Sequence, residues 1–518
     1  MSHNETGIRL DEAGPRPWGH EESFNDLVYE WMSKAPWLLI SLALHFVVAL
    51  IVAAIPWNAF DVEESPVMVV SVEPPVETVE PEEPEPEVEI EDVETEIEPV
   101  LEELEISDVS ETDNDSDLAS TEGDEGLNDS PHDSISTNST LGLGAGGGSK
   151  IGRRFGRPKG RGPGGRANVA VQAGLQWLAD HQDHEGPDAG SWDCDEFMKH
   201  DPGGDRCTGA GDANHDVGVT ALALLAFLGD GHSMVDGRHR KVVTDGVRWL
   251  IRQQDPETGL LGDDVSKEFL YGHAIATLAL SEIALIDQNP VVKRAAQKAV
   301  RYITKARNAY GAWRYEVPPN GDADASVTGW MLFALRSAKD AGLKVDESAF
   351  TDSIAWFDEM TDIGTGRCGY VEQGSLSSRV PGMNEHYPRE HGEAMTAVSL
   401  LCRFFLGQDP KDVEVMKAHA DLLLETLPKW SDDGLSNDMY YWYYGSYAMY
   451  QYGGEHWRKW EKTIESEMIK HQRADGSAAG SWDPNGPWGY AGGRVYATAT
   501  MVLCLEVYFR YGRVLGSR

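Results

Sequence analysis

Residues 169–182 read VAVQAGLQWLADHQ, and a turn with Gly190-Ser191-Trp192 follows. In the first segment apolar residues recur at i, i+3 and i+4, which puts one buried stripe on a helix. Glycine can take the left-handed backbone conformation that ends a helix, and the tryptophan behind it can cover the turn. The pattern returns along the chain. Further amphipathic helices are read at VVTDGVRWLIRQQ (Val242–Gln254), AAQKAVRYITKA (Ala295–Ala306) and FTDSIAWFDEM (Phe350–Met360), with Trp177, Trp249, Tyr302 and Trp356 in matching places. Further turns are Gly311-Ala312-Trp313 and Gly480-Ser481-Trp482, with Gly369-Tyr370 expected in the equivalent position. Between the amphipathic helices lie segments that are apolar nearly all round, such as VTALALLAFL (Val219–Leu228), HAIATLALSEIAL (His273–Leu285) and VTGWMLFALRSA (Val327–Ala338). A helix of that kind is enclosed on most faces. Repetition at a fixed period marks a stacked-repeat architecture. The expectation is therefore all-α: an α/α toroid of about six helical hairpins over residues 168–512, outer helices amphipathic, inner helices buried, and no strand-period segment of useful length.

The rest of the chain is of a different kind. Net charge is −42, yet residues 150–518 carry only −9. Residues 61–149 hold 29 Asp or Glu and no Lys or Arg. Such a block cannot bury enough apolar surface to offset chain entropy, so residues 58–149 are expected to form an acidic, Pro/Glu-rich disordered tether. A basic, Gly/Arg-rich linker is expected at 150–167, reading as a flexible connector that folds back on the tether. The run Trp37–Trp57 has 21 residues without Asp, Glu, Lys or Arg. It is long enough to cross a bilayer core and has a tryptophan at each interface, so residues 36–57 are expected to be a transmembrane helix. Lys34 precedes it and no basic residue follows until Lys150. The positive-inside rule then leaves residues 1–35 in the cytoplasm and the toroid outside, in the periplasm of a cell with an inner membrane.

Inside that span Ser41 and His45 stand four apart on one helix face. Ser-x-x-x-His in an N-terminal span, then SPVMVVSVEPP (Ser65–Pro75) and EPEEPEPEVE (Glu80–Glu89), resembles the N-terminal part of TonB energy transducers. That resemblance covers residues 36–100. It implies that Ser41 and His45 contact an ExbB–ExbD-type proton motor. The family's Pro-Lys tract and receptor-binding domain are absent. The repeat region resembles another family: Ala173-Gly174-x-x-Trp177-Leu178, Gln182 and Gly190-x-Trp192 are close to the QW repeat of squalene and hopene cyclases, within the prenyltransferase and squalene oxidase repeat superfamily. The likeness implies the fold and much less about activity.

Inner helices should converge with their N-termini on a central cavity. There a threonine follows a polar or glycine position by four in Asp216…Thr220, Asp324…Thr328, Gly392…Thr396 and Arg494…Thr498. Candidate ligand-binding residues are His215, Asp216, His273, His391, Glu393, Arg494, Tyr440 and Trp442, although aspartates at such places also cap helices. In the cyclases the proton donor lies in Asp-x-Asp-Asp-Thr, and the resemblance places Asp322 and Asp324 as candidate catalytic acids. Ala325 and Ser326 stand where that motif has Asp and Thr, which puts cyclisation in doubt. The Asp-x-Cys…His zinc set of protein prenyltransferases is missing, so no metal and no cofactor are expected. Cys194 and Cys207 share the loop Ser191–Asp216, and outside the cytoplasm a disulfide is the simple expectation. A metal site built with His200, His215 or the loop's aspartates is the lesser alternative. Together these readings favour a membrane-anchored, extracytoplasmic binding or coupling protein that recognises a peptide, glycan or lipid. Nucleic acid is not an expected partner. The alternative is an isoprenoid-processing enzyme, a terpene cyclase or prenyltransferase-like.

Overall fold

The structure, a computed structural model, describes residues 165–510. The candidate membrane span 36–57, with Ser41 and His45, and the acidic tether lie outside the described residues. Twelve α-helices form six hairpins among the described residues. The outer helices are α1 (Gly165–Asp180), α3 (Arg240–Arg252), α5 (Pro290–Ala306), α7 (Ser348–Met360), α9 (Glu414–Glu425) and α11 (Gly454–His471). Each is followed by an inner helix: α2 (Asp216–Gly229), α4 (Phe269–Asp287), α6 (Ala325–Asp340), α8 (Ala394–Phe405), α10 (Met439–Tyr452) and α12 (Gly489–Arg510). Every inner helix packs on the next, and α12 returns to pack on α2 and α1, so the ring closes. This is the α/α toroid that the sequence pattern predicts. Helix α4 is long and apolar enough to span a membrane, but its residues from His273 to Ala284 are buried within the ring. One two-residue antiparallel pair, β1 (Thr361–Asp362) with β2 (Arg367–Cys368), interrupts the helical pattern.

The turn motif explains why these hairpins stack. Trp192 donates its backbone N–H to Thr220 Oγ1 at 2.9 Å and its indole N–H to Leu178 O at 2.6 Å. Trp313 does the same with Thr328 Oγ1 at 3.0 Å and Ile303 O at 2.8 Å, and Trp482 with Thr498 Oγ1 at 3.3 Å and Met468 O at 2.8 Å. Each tryptophan thereby ties its own outer helix to its own inner helix. The glutamine before the turn makes the link to the next hairpin: Gln182 Nε2 donates to Gly190 O and to Val242 O, both at 2.9 Å. Gln254 and Gln472 repeat this geometry, and Gln472 reaches Ala170 O at 2.8 Å, so the motif that joins neighbours also closes the ring. The glycine is required because a Cβ on Gly190 would overlap the backbone of Asp245.

The second and fourth hairpins use the same geometry with other residues. Leu261 N–H donates to His273 Nδ1 at 3.0 Å, so the imidazole stands where threonine stands elsewhere. In the fourth hairpin Cys368 N–H donates to Thr396 Oγ1 at 3.2 Å. The turn is therefore Gly366-Arg367-Cys368 and not Gly369-Tyr370: Gly366 has φ of 70°, and its missing Cβ leaves room for Ala418.

The expected Cys194–Cys207 disulfide is not formed; both thiols are free and buried. The loop holds them on different partners. Cys194 Sγ donates to Ala491 O at 3.2 Å on the first turn of α12, and Cys207 Sγ lies 3.6 Å from Asp201 Oδ1. The loop packs on a break in α12 at Gly493, where φ is 62°. Cys402 and Cys504 are buried in α8 and α12, and burial pushes both thiols well up, as expected of inert core cysteines.

Candidate functional site

A central cavity of about 410 Å³ opens where the N-terminal turns of the inner helices meet. Its lining is rich in aromatic side chains: Tyr271, Tyr315, Trp330, Tyr370, Tyr440, Tyr443, Trp488, Tyr490 and Tyr496. Trp330 stacks on Tyr443 with ring centroids 5.6 Å apart. Four of the tyrosine hydroxyls are linked to neighbouring hydroxyls. Tyr271 donates to Ser326 Oγ at 2.9 Å, Ser326 Oγ and Tyr440 OH are 2.8 Å apart, and Tyr315 and Tyr370 share a 2.6 Å hydrogen bond. The rim is acidic, with exposed Asp212, Asp263 and Glu268. A segment containing Ser377, Arg379, Val380 and Met383 covers part of the opening. It is tied down by Asn384, whose Nδ2 donates to Pro487 O at 2.9 Å. Arg379, buried in that segment, sits 3.5 Å from Asp438 Oδ2. Burial raises the Asp438 carboxyl while the guanidinium opposes it.

Of the residues singled out in the sequence, His215 and Tyr440 line this cavity. The others do not. Asp324 caps α6: its Oδ1 accepts from Val327 N–H at 2.7 Å. The carboxyl is fully buried beneath Tyr315 and Tyr370, and burial pushes it up to about 7 against the Val327 N–H and the Arg314 guanidinium, 3.7 Å away. Asp322 is exposed in the preceding loop, where its backbone N–H is held by Asn320. Asp216 accepts from Cys194 N–H at 2.8 Å and is likewise raised to about 7, by burial and by Asp193 and Asp195. His273 is buried in the turn motif; its Nε2 donates to Ala299 O at 3.2 Å and burial drops it to about 4. Glu393 forms a bidentate pair with Arg367 at 2.7 and 3.1 Å. His391 is exposed, with Nδ1 at 2.8 Å from Leu435 O. Arg494 is buried against Asp483 at 2.6 Å and holds Thr208 O. Trp442 packs against Trp430. These residues fasten loops and helix ends; their polarity near inner-helix starts reflects unpaired backbone groups there.

Tyr271, Tyr315 and Arg379 escaped the sequence reading, and Tyr370 was read only as a turn residue. Tyr315 and Tyr370 each follow a turn motif by two residues, counting the fourth turn at Cys368, so correct alignment of that turn would have exposed them as a pair.

The family model of the squalene-hopene cyclase C-terminal domain matches residues 164–366. No curated protein matches the chain. Among solved structures, the α-1,6-mannanase GH76A of Salegentibacter sp. HEL1_6 in complex with α-1,6-mannotriose is 10% identical, covers 66% of this chain and 99% of its own, and gives a TM-score of 0.45. A type II terpene cyclase from Scytonema in complex with merosterolic acid A is 15% identical, over 66% of this chain and 97% of its own, with a TM-score of 0.42. A glycoside hydrolase family 76 mannosidase from Bacteroides thetaiotaomicron is 12% identical, over 67% and 97%, with a TM-score of 0.45. The chain thus carries a squalene-cyclase-like α/α repeat domain.

Proposed function

We propose that the protein is a membrane-anchored binding protein whose toroid takes a ligand in its central cavity outside the cytoplasm, while Ser41 and His45 engage an ExbB–ExbD-type motor. The observation that carries the binding reading is the position of Asp324. An alkene-protonating acid has to reach its substrate, and here the carboxyl at the matching position caps a helix beneath the tyrosine wall. What remains at the surface of the cavity is recognition chemistry: flat aromatic faces, a hydroxyl network and a carboxylate rim. Aromatic faces beside carboxylates suit a ligand with an apolar or ring-shaped body and a cationic or hydroxylated edge, such as a basic peptide side chain or a glycan. The motor association rests on the sequence of the span alone. It is tested by photocrosslinking from the span in cells expressing an ExbB-type partner. His45→Ala should abolish the crosslink with insertion unchanged; an undiminished crosslink would remove the motor from the proposal.

One observation favours the rival reading. The wall around Trp330, Tyr440 and Tyr443 is aromatic on several sides, an arrangement that also stabilises carbocations. In that case the protein is an isoprenoid-processing enzyme, and Asp324 needs a proton path through the Tyr370–Tyr315 pair.

A further inference from the structure

The long loop of the first hairpin brings together three side chains that the cavity does not use. His181 follows α1, and Asp201 and Cys207 come from the loop; all three are buried. Their donor atoms lie within 4.8 Å of one another. His181 Nε2 is 2.9 Å from Asp201 Oδ1, and Cys207 Sγ is 3.6 Å from the same oxygen. Ligands around one tetrahedral zinc, at about 2.0–2.3 Å from the ion, stand roughly 3.3–3.7 Å apart. A small rotation of the imidazole would open the nitrogen–oxygen gap to that value.

The orientation of the His181 ring is the second observation. Its Nδ1 lies 2.7 Å from Trp177 O. A carbonyl only accepts, so Nδ1 donates to it and Nε2 is aimed at the carboxylate oxygen. A contact of that length holds either a proton or a cation between nitrogen and oxygen. An Nδ1–H held by a backbone carbonyl, with Nε2 free to coordinate, is the tautomer of metal-bound histidines. The other groups around the site are placed to support it. The Trp177 ring stacks on His181 with centroids 4.0 Å apart, and Asp201 Oδ2 accepts from Cys207 N–H at 2.7 Å, fixing the carboxylate plane.

We infer that His181, Asp201 and Cys207 bind a thiophilic divalent cation of the zinc class, with a water in the fourth position. Among the described residues no other His, Cys, Asp or Glu joins the cluster. The donor set is one imidazole, one carboxylate and one thiolate, and binding releases the Cys207 proton to solvent. Burial and the adjacent Asp201 hold the metal-free thiol up at about 11, so without the ion it is a poor nucleophile. The role is structural. The loop that carries two of the ligands also grips the seam of the ring: Asp205 accepts from Ser477 N–H at 2.8 Å, and Asp212 N–H donates to Ala491 O at 2.8 Å. Its far end supplies Asp212, Asn214 and His215 to the cavity wall. The ion would thus pin the wall to α1 from behind.

The test uses the detergent-purified full-length protein. Elemental analysis should find close to one zinc per chain, and replacement with Co²⁺ should give a thiolate-to-cobalt charge-transfer band in the near ultraviolet. Cys207→Ser should remove the band, Cys194→Ser should keep it, and His181→Ala should lower the bound metal at least tenfold. Chelation should lower the melting temperature of the parent and leave that of the well-folded Cys207→Ser variant unchanged. Metal content below a tenth of an equivalent after growth in zinc, or a Cys194–Cys207 bridge in the non-reduced intact mass, would overturn the assignment.

Discussion

The first and third hairpins share one turn and diverge in the connection that follows it. Both place a Gly-x-Trp turn under an inner-helix threonine, and both have an aspartate at the start of the inner helix that is pushed up to about 7. In the third hairpin a short connection brings Asp324 down as a cap and covers it with tyrosines. In the first, the connection runs from Asp193 to His215 and gathers a His-Asp-Cys cluster and three carboxylates, Asp193, Asp195 and Asp216. The turn sets where the acid sits; the connecting loop sets what the acid can do. A matched position in a repeat protein therefore transfers geometry more safely than chemistry.

The largest expected effect tests the shared part. Trp313→Ala empties a fully buried site and removes the indole hydrogen bond to Ile303 O. It should cost about 3–5 kcal/mol, read as a fall in the urea midpoint. Trp192→Ala should cost about as much if the two turns are equivalent, and a much smaller loss there would break the comparison.

Next comes His273, which performs the threonine's task in the second hairpin. His273→Ala leaves Leu261 N–H without a partner and should cost about 1–3 kcal/mol. The pH dependence has a definite sign. The folded pKa is lowered to about 4 from 6.5, so the stabilisation is present above pH 6.5 and is lost as pH falls from there towards 4. Denaturation of parent and variant across that window should converge at the acid end.

Asp324→Asn should have a smaller effect, opposite in sign. The folded pKa of this acid is raised to about 7 from 3.8, so its favourable contribution is full below about pH 3.8 and is lost as pH rises through 7. Asparagine keeps the capping oxygen and cannot ionise. The variant should match the parent near pH 3.5 and exceed it at pH 8. A variant less stable than the parent at pH 8 would mean that the Arg314 pairing outweighs burial.

The ring was legible because its hairpins announce themselves through helical periodicity and through Gln182, Gly190 and Trp192, residue types that the turn geometry demands. Two hairpins were misaligned or missed where the geometry tolerates substitutes. Leucine fills the place of Trp192 at Leu261, a cysteine does so at Cys368, and a histidine nitrogen accepts in place of a threonine hydroxyl. Across these five hairpins only the backbone N–H donated to the inner helix is common, and a backbone group leaves no trace in sequence. The cavity was legible in place but not in membership. Polar residues near inner-helix starts were read as ligand contacts, whereas Glu393, Arg494 and His391 are consumed by loop anchoring. Part of the lining comes instead from Tyr315 and Tyr370 in the connections, whose direction depends on the closure of the whole ring.

The central claim is that Asp324 holds a helix end and does not protonate a ligand. The direct measurement is turnover of squalene and of prenyl diphosphates by the detergent-purified full-length protein and its Asp324→Asn variant, followed by mass spectrometry of the products. The account predicts no cyclised or transferred product from either protein. Cyclisation by the parent, lost by orders of magnitude in Asp324→Asn while the fold is retained, would contradict it and make the isoprenoid enzyme the correct reading.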